Sequence, residues 1–537
     1  MAEASTQTAG RAPRTAATAA LLLAGAVVTA VLTAYALRGG APRTHVVVAL
    51  GLPILLGILL FCVLARARLA RLPVRWLLAA GLIALPVLAV LGPALALPQL
   101  KPLFGFRVVL ALVGLGGVLW LIAVRRRWRL EGGTYVALFA AWVCWLLITL
   151  AWAPDPAAGP RYLFLLLGLG AVAAATASTG LSERRLRWLL LGLAAVYGLS
   201  LLIGLAETQV HLHLPTASPA YRGRATPAAF FFNTNDFATY LALCWPFVLL
   251  LPSYRRRAGT IALVVLALLA TAGVILFTGS RVSVLAIAFE TLIVAVVVAL
   301  RAGRWGRIAV AVLAVVALLG MGLLLAGVGG RFGASFSLSK LVGQVHSGSG
   351  SGAIRSELQT AGLRAASTRW FLGVGPGNAE IVVGRQNPGF TVLNLHDWWL
   401  EVFVDGGLPA LLIFLTLYLA LLAAVVRVAR HARDHLVRYL GLATAVALAG
   451  FSVAIIGPST AIYFPPMAIL FGLAVAVVLR ARRTDGLVAP ARPGRPVPAA
   501  GGRGLLDSDA DVAGGRKGRS APRRPARRGD AAVGGIR

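Results

Sequence analysis

Residues 395–414 read LHDWWLEVFVDGGLPALLIF, so a histidine, two aspartates, a glutamate and two tryptophans run straight into an apolar stretch. An unperturbed imidazole titrates near pH 6.5, which makes His396 the natural proton acceptor here at neutral pH. The plain alternative is an interfacial aromatic beside Trp398 and Trp399, which have the look of membrane-belt residues. Four arginines raise a second question. Arg281 stands in FTGSRVSVLAI, at the mouth of an apolar run, and Arg355 and Arg364 lie in AIRSELQTAGLRAAS. Arg224 precedes ATPAAFFFNTNDFATYLAL. A guanidinium keeps its charge and grips phosphate oxygens through two parallel hydrogen bonds. Snorkelling to the interface is the competing reading, favoured for Arg222, Arg331 and Arg385. Arg281, wedged in a Gly-Ser turn between two apolar runs, favours a functional role.

Asn233, Asn235 and Asp236 crowd the start of one apolar run. A helix needs one such cap, so the surplus is available to a ligand or to an arginine. The pair His211 and His213 has no carboxylate or thiol beside it, and no metal site is expected.

These residues must be positioned by membrane helices. The chain has 537 residues, of which 59% are apolar and 13% charged. Runs of about 20 apolar residues, enough to cross a bilayer, recur from end to end. The composition therefore predicts an all-α, polytopic transmembrane helix bundle. It excludes a soluble globular chain, and a β-barrel would show short alternating segments instead. About fourteen spans are read, at roughly 16–37, 45–65, 76–97, 106–124, 134–152, 162–178, 187–206, 232–251, 259–277, 282–300, 308–327, 407–426, 438–456 and 461–479; the expected range is about 12–14, since Pro and Gly interrupt the third and fourth. Cys62, Cys144 and Cys244 all lie inside apolar runs and form no spaced pair, so no disulfide is expected.

The net charge of +33 would suggest nucleic acid on a soluble chain. Here one set of alternate loops holds 21 arginines, against 8 basic residues in the other short loops, and the positive-inside rule accounts for the bias. It predicts both termini in the cytoplasm and no nucleic-acid partner. Residues 328–396 then form one long extracytoplasmic loop, with a helix over 353–371 and a Gly/Pro turn at GVGPGN. In that helix Ile354, Leu358, Ala361 and Ala365 share one face, and Arg355 and Gln359 another. The expected organisation is N-terminal transmembrane helices over 1–206, a catalytic transmembrane region over 207–480, and a basic, disordered cytoplasmic tail over 481–537 suited to anionic headgroups.

In this order the motifs resemble the O-antigen ligase and polymerase superfamily of bacterial membrane enzymes. The resemblance rests on GRATPAAFFFNTNDFATYLAL, FTGSRVSVLAI, IRSELQTAGLRAASTRWFLGVGPGNAE and LHDWWLEVFVDGGLPALLIF, across about 220–415. The chain departs from the usual pattern at Thr234, where Pro is common, and at Asp397, where Asn is common. The resemblance implies an inverting, metal-independent glycosyltransferase without a cofactor, in the bacterial cytoplasmic membrane. Its donor would be a glycan on polyprenyl pyrophosphate, such as undecaprenyl pyrophosphate, and its acceptor a glycan or glycolipid hydroxyl at the outer face. His396, Arg281 and Arg355 would be catalytic, with Arg224, Arg364 and Asn235 binding substrate. A polytopic transporter is the alternative, with Glu290, well inside a span, as its clearest intramembrane charge.

Overall fold

A computed structural model describes residues 74–97, 100–104, 106–114, 132–301, 304, 308, 351–386, 394–458 and 461–486. The first two expected spans, nearly all of the eleventh, loop residues 328–350 and the tail beyond 486 lie outside the described residues. So does Cys62.

The described chain is a polytopic helical bundle. Its helices, in order, are α1 (Val74–Leu91), α2 (Gly133–Thr149), α3 (Ala158–Thr179), α4 (Glu183–Val210), α5 (Thr234–Leu249), α6 (Leu251–Tyr254), α7 (Ala258–Thr278), α8 (Arg281–Arg301), α9 (Ser351–Ser367), α10 (Ala379–Gln386), α11 (Trp398–His431), α12 (His435–Ala454) and α13 (Pro465–Asp485). Among the described residues nine helical segments are long and apolar enough to span a membrane, each at an expected position. The third expected span is shorter than read. Gly92 turns to a positive φ of 48° ahead of Pro93, ending α1 at Leu91. The chain then forms a small antiparallel pair, Ala96–Leu97 with Leu100–Phe104, before a helical stretch at 106–114.

With no water to drive association, membrane helices pack through small residues and shape. At α13, 78% of the apolar window is enclosed by protein, against 17% at α2, so α13 is central and α2 peripheral. Gly472 of α13 lies against the backbone of Ala173 in α3, and Gly180 just past α3 lies against that of Ala476. Side chains at either glycine would force the two helices apart.

Trp398 and Trp399 depart from the belt reading. Trp398 is only 1% exposed, and its ring meets Trp142 at 6.2 Å and Phe414 at 6.0 Å. Trp399 packs on Phe414, Tyr418 and Phe451 at 5.4–5.9 Å and donates from Nε1 to the Ser452 carbonyl at 3.2 Å. Trp398 is buried among protein aromatics, and Trp399, half-buried, packs on them, so contacts within the bundle fix both.

α11 is broken at Gly407, whose φ of 73° and ψ of −173° are non-helical. The residues before the break form a short platform, and Pro409 opens the span proper. The expected span start at 407 thus marks a real boundary inside one continuous run.

Candidate functional site

The platform is built by backbone contact. Val374 N–H donates to the Val404 carbonyl at 2.9 Å, Gly375 N–H to that of Asp405 at 2.8 Å, and Leu408 N–H to that of Phe371 at 2.8 Å. GVGPGN thus clasps the break in α11. Asp405 Oδ1 accepts from Asn378 N–H at 3.1 Å and Ala379 N–H at 2.9 Å, capping α10. Trp152 Nε1 donates to the Gly373 carbonyl at 2.9 Å and Trp145 Nε1 to that of Gly406 at 2.6 Å, fastening the clasp to α2 and the turn after it.

α9 lies on this platform. Leu358, Ala361 and Ala365 are buried as the spacing predicts, but Ile354 is exposed. Gly362 lets α9 approach closely: a Cβ there would meet Leu395 at 3.0 Å and Val404 at 3.3 Å. Arg355 lies seven residues before Gly362, close to two full turns, and so shares its side of the helix, not the face opposite the buried stripe.

Three of the expected site residues come together. Arg355, half-buried, feels the charge of Arg281 at the first turn of α8, and His396 feels the charge of Arg355. Burial first, then Arg281, lowers the pKa of Arg355. Burial first, then Arg355, pushes His396 down to about 4, against the Pro458 carbonyl, which accepts a hydrogen bond from the ring. The imidazole is therefore neutral at neutral pH, further from its ordinary value than the sequence alone suggests. Its Nδ1 is buried with no hydrogen-bond partner among the described residues.

Asp397 does not orient the imidazole. Its Oδ1 accepts from Trp399 N–H at 3.0 Å and Leu400 N–H at 3.3 Å, as the N-cap of the platform, and burial raises its pKa against those bonds. His396 has a φ of 51°. It sits between that cap and a turn in which its N–H donates to Asn394 Oδ1 at 2.8 Å.

The interactions joining the trio do not include Arg224, Arg364 or Asn235. Arg224 is exposed in the turn after Pro219–Tyr221, its N–H donating to the Tyr221 carbonyl at 3.0 Å. Arg364 is exposed on α9 and lines an open concavity with Ser356, Glu357, Thr360 and Ala361. Of the crowded caps, Asn233 serves α5 by accepting from Asn235 N–H at 2.7 Å, leaving the Asn235 side chain half-buried. His213 Nε2 lies 2.8 Å from the Thr226 carbonyl, and among the described residues no group of His, Cys, Asp or Glu could hold a metal ion.

Sequence reasoning missed Asn378, Asn394, Glu380 and Asp405, whose long-range partners lie 14 to 223 residues away in the chain. It also missed Glu207. That side chain is 1% exposed, and its Oε2 accepts from Ala228 and Ala229 N–H, each at 2.8 Å, to hold the loop before α5. The nearest signal was the glycine content of GVGPGN and DGGLP, which marks close backbone approach without naming its partner.

Fold and site together define a multi-pass helical membrane protein with a cluster of two arginines and a histidine at one end of its bundle. Residues 264–415 match the family model described as O-Antigen ligase. The match contains Arg281, Arg355, Arg364 and His396; Arg224 and Asn235 fall before it. The chain is also similar to the teichuronic acid biosynthesis protein TuaE of Bacillus subtilis (strain 168). The two are 25% identical over 332 residues, covering 59% of this chain and 66% of that relative's length.

Proposed function

We propose that the protein is a surface-polysaccharide ligase or polymerase. It transfers a glycan from a polyprenyl-pyrophosphate carrier to an acceptor hydroxyl at the outer face of the bacterial cytoplasmic membrane. The observation that carries this reading is the juxtaposition of Arg281 and Arg355 beside His396. Two guanidiniums at one half-buried site offer paired positive charge to the oxygens of an anionic group. A pyrophosphate leaving group gathers negative charge as the glycosidic bond breaks, and pre-placed guanidiniums stabilise that charge most where it develops. His396, neutral and with Nδ1 unengaged, takes the acceptor hydroxyl proton as the oxygen attacks the anomeric carbon with inversion. Bound pyrophosphate counters the charge of Arg355 and makes the imidazole a stronger base in the complex than in the free protein.

The family match supports the ligase or polymerase class, and the relative is named for teichuronic acid biosynthesis. The depth of the cluster, where α8 and α11 begin, suits a lipid-linked donor whose headgroup lies at the interface. Arg224, Arg364 and Asn235 are proposed to contact the glycan or acceptor around this centre. The basic tail is proposed to lie in the cytoplasm beside the lipid headgroups.

The test is transfer from a purified lipid-linked donor, with donor binding measured in parallel. His396→Ala should lose about 10²–10⁴-fold in rate while donor still binds. Normal transfer would overturn the assignment, and loss of both would recast His396 as a pyrophosphate ligand. A transporter reading has its own observation, since Glu290 is fully buried in α8 with neither carboxyl oxygen hydrogen-bonded among the described residues. Uptake by proteoliposomes without transfer would favour it.

A further inference from the structure

His396 is held in a ring in which hydrogen bonds alternate with short stretches of chain. Asp405, on the platform, caps the start of α10 through Asn378 and Ala379 N–H. Glu380, in the first turn of α10, accepts at Oε1 from Asn394 Nδ2 at 3.1 Å. Asn394 Oδ1 in turn accepts from the His396 N–H at 2.8 Å. Asp397 then closes the path to Trp399 and Leu400 on the same platform.

The ring has an evident task. His396 adopts a φ of 51°, a left-handed conformation that a non-glycine residue occupies only where its surroundings impose it. Leu395, beside it, is 1% exposed and pinned against Gly362 of α9. That contact fixes the chain before the histidine but not the turn at the histidine itself. The turn is set by the Asn394 side chain, and the Asn394 amide is oriented by Glu380, since its Nδ2 must face the carboxylate for its oxygen to face His396.

We propose that Asn394, oriented by Glu380, is a positioning residue that holds His396 in its left-handed turn and so aims the imidazole at the acceptor hydroxyl. This inference rests on the reading of His396 as the base. Neither residue touches the reacting atoms. The pair acts through backbone geometry, so its loss should slow the chemical step and leave donor affinity in place.

The experiment uses the full chain in detergent or nanodiscs, with lipid-linked glycan extracted from the producing cells as donor and carrier-lipid pyrophosphate release as the readout. Asn394→Ala should lower kcat by about tenfold to a hundredfold, the scale of a misplacement near 1 Å, with the donor KM within about twofold. Asn394→Asp alone should also be slow, because it sets two carboxylates against each other. The double variant Glu380→Gln with Asn394→Asp reverses the donor and acceptor of the first bond and preserves the acceptor for His396 N–H. It should recover most of the lost kcat.

His396→Ala, run alongside, separates the two readings. If it transfers at the wild-type rate, the functional reading fails. If it is inactive while Asn394→Ala has wild-type kcat, the positioning inference alone is overturned. A loss in Asn394→Ala confined to KM would also overturn it. Should Asn394→Ala fail to fold, the double variant decides: folded and active supports the proposal, folded and slow overturns it.

Discussion

Gly373 and Gly407 meet backbone to backbone: a Cβ on Gly373 would stand 2.6 Å from Gly407 N and 2.5 Å from the Asp405 carbonyl oxygen. A Cβ on Gly407 would in turn strike the backbone of Leu372 and Gly373. The loop turn and the helix break are two halves of one joint.

Gly407→Ala should therefore be severe. At φ 73° and ψ −173° an L-residue is strained by about 1–3 kcal/mol before any clash is counted. The expected result is a lower melting temperature in detergent and loss of transfer. Wild-type melting in the Gly407→Ala variant would show that the joint is dispensable.

Arg355→Gln should raise the pKa of His396 from about 4, because removing the guanidinium makes the imidazolium less costly. Burial is the larger cause and remains, so the value should stay below the ordinary 6.5. The neutral imidazole of the native protein would then be lost at a higher pH as the medium is acidified. Titration of the His396 ring signal by NMR, wild type against variant, reads this directly. A downward or absent shift would separate the two residues electrostatically.

Arg281→Lys keeps the charge but loses the two-pronged grip on phosphate. Transfer should fall by about tenfold or more, in line with the loss of one charge-assisted hydrogen bond. The loss should persist in EDTA-treated preparations. Wild-type turnover at normal expression would reduce Arg281 to an interfacial residue.

Orientation is tested from outside the cell. Ser367→Cys, on the exposed end of α9, should react with an impermeant maleimide in intact cells. Arg256→Cys, in the loop between α6 and α7, should react only after permeabilisation. The reverse pattern would place the histidine cluster in the cytoplasm and end the proposed mechanism.

The spans were legible because hydrocarbon asks for one thing, an unbroken apolar run, and each described run delivers it. α1 is the instructive exception. Its apolar character continues past Leu91, but Gly92 and Pro93 end the helix, and hydropathy does not see backbone. His396, Arg355 and Arg281 were grouped by the resemblance of their motifs, while charge at the edge of apolar runs singled out only the arginines. What sequence did not yield was the scaffolding. Trp398 and Trp399 have the composition of a membrane belt, yet whether an indole faces lipid or protein depends on Phe414 and Phe451, which are distant in the chain. Asn394 and Asp405 are ordinary polar residues until Glu380 and Ala379 arrive beside them.

At the opposite end of the bundle, Arg480 pairs with Glu183 at 2.7 Å, Arg483 donates to the Leu181 carbonyl at 3.0 Å, and Asp485 accepts from Arg433 N–H at 3.1 Å. These bonds stitch the loop between α3 and α4, the loop between α11 and α12, and the end of α13 into a floor. Above it lies the enclosed length of α13, with an apolar lining. On the proposed reading, His396 takes its proton from the acceptor at the outer face and returns it there, at the end of the bundle away from this floor. Each transfer would then neither draw on the proton gradient across the membrane nor discharge it, and the free energy for the reaction would come from the carrier-linked bond alone.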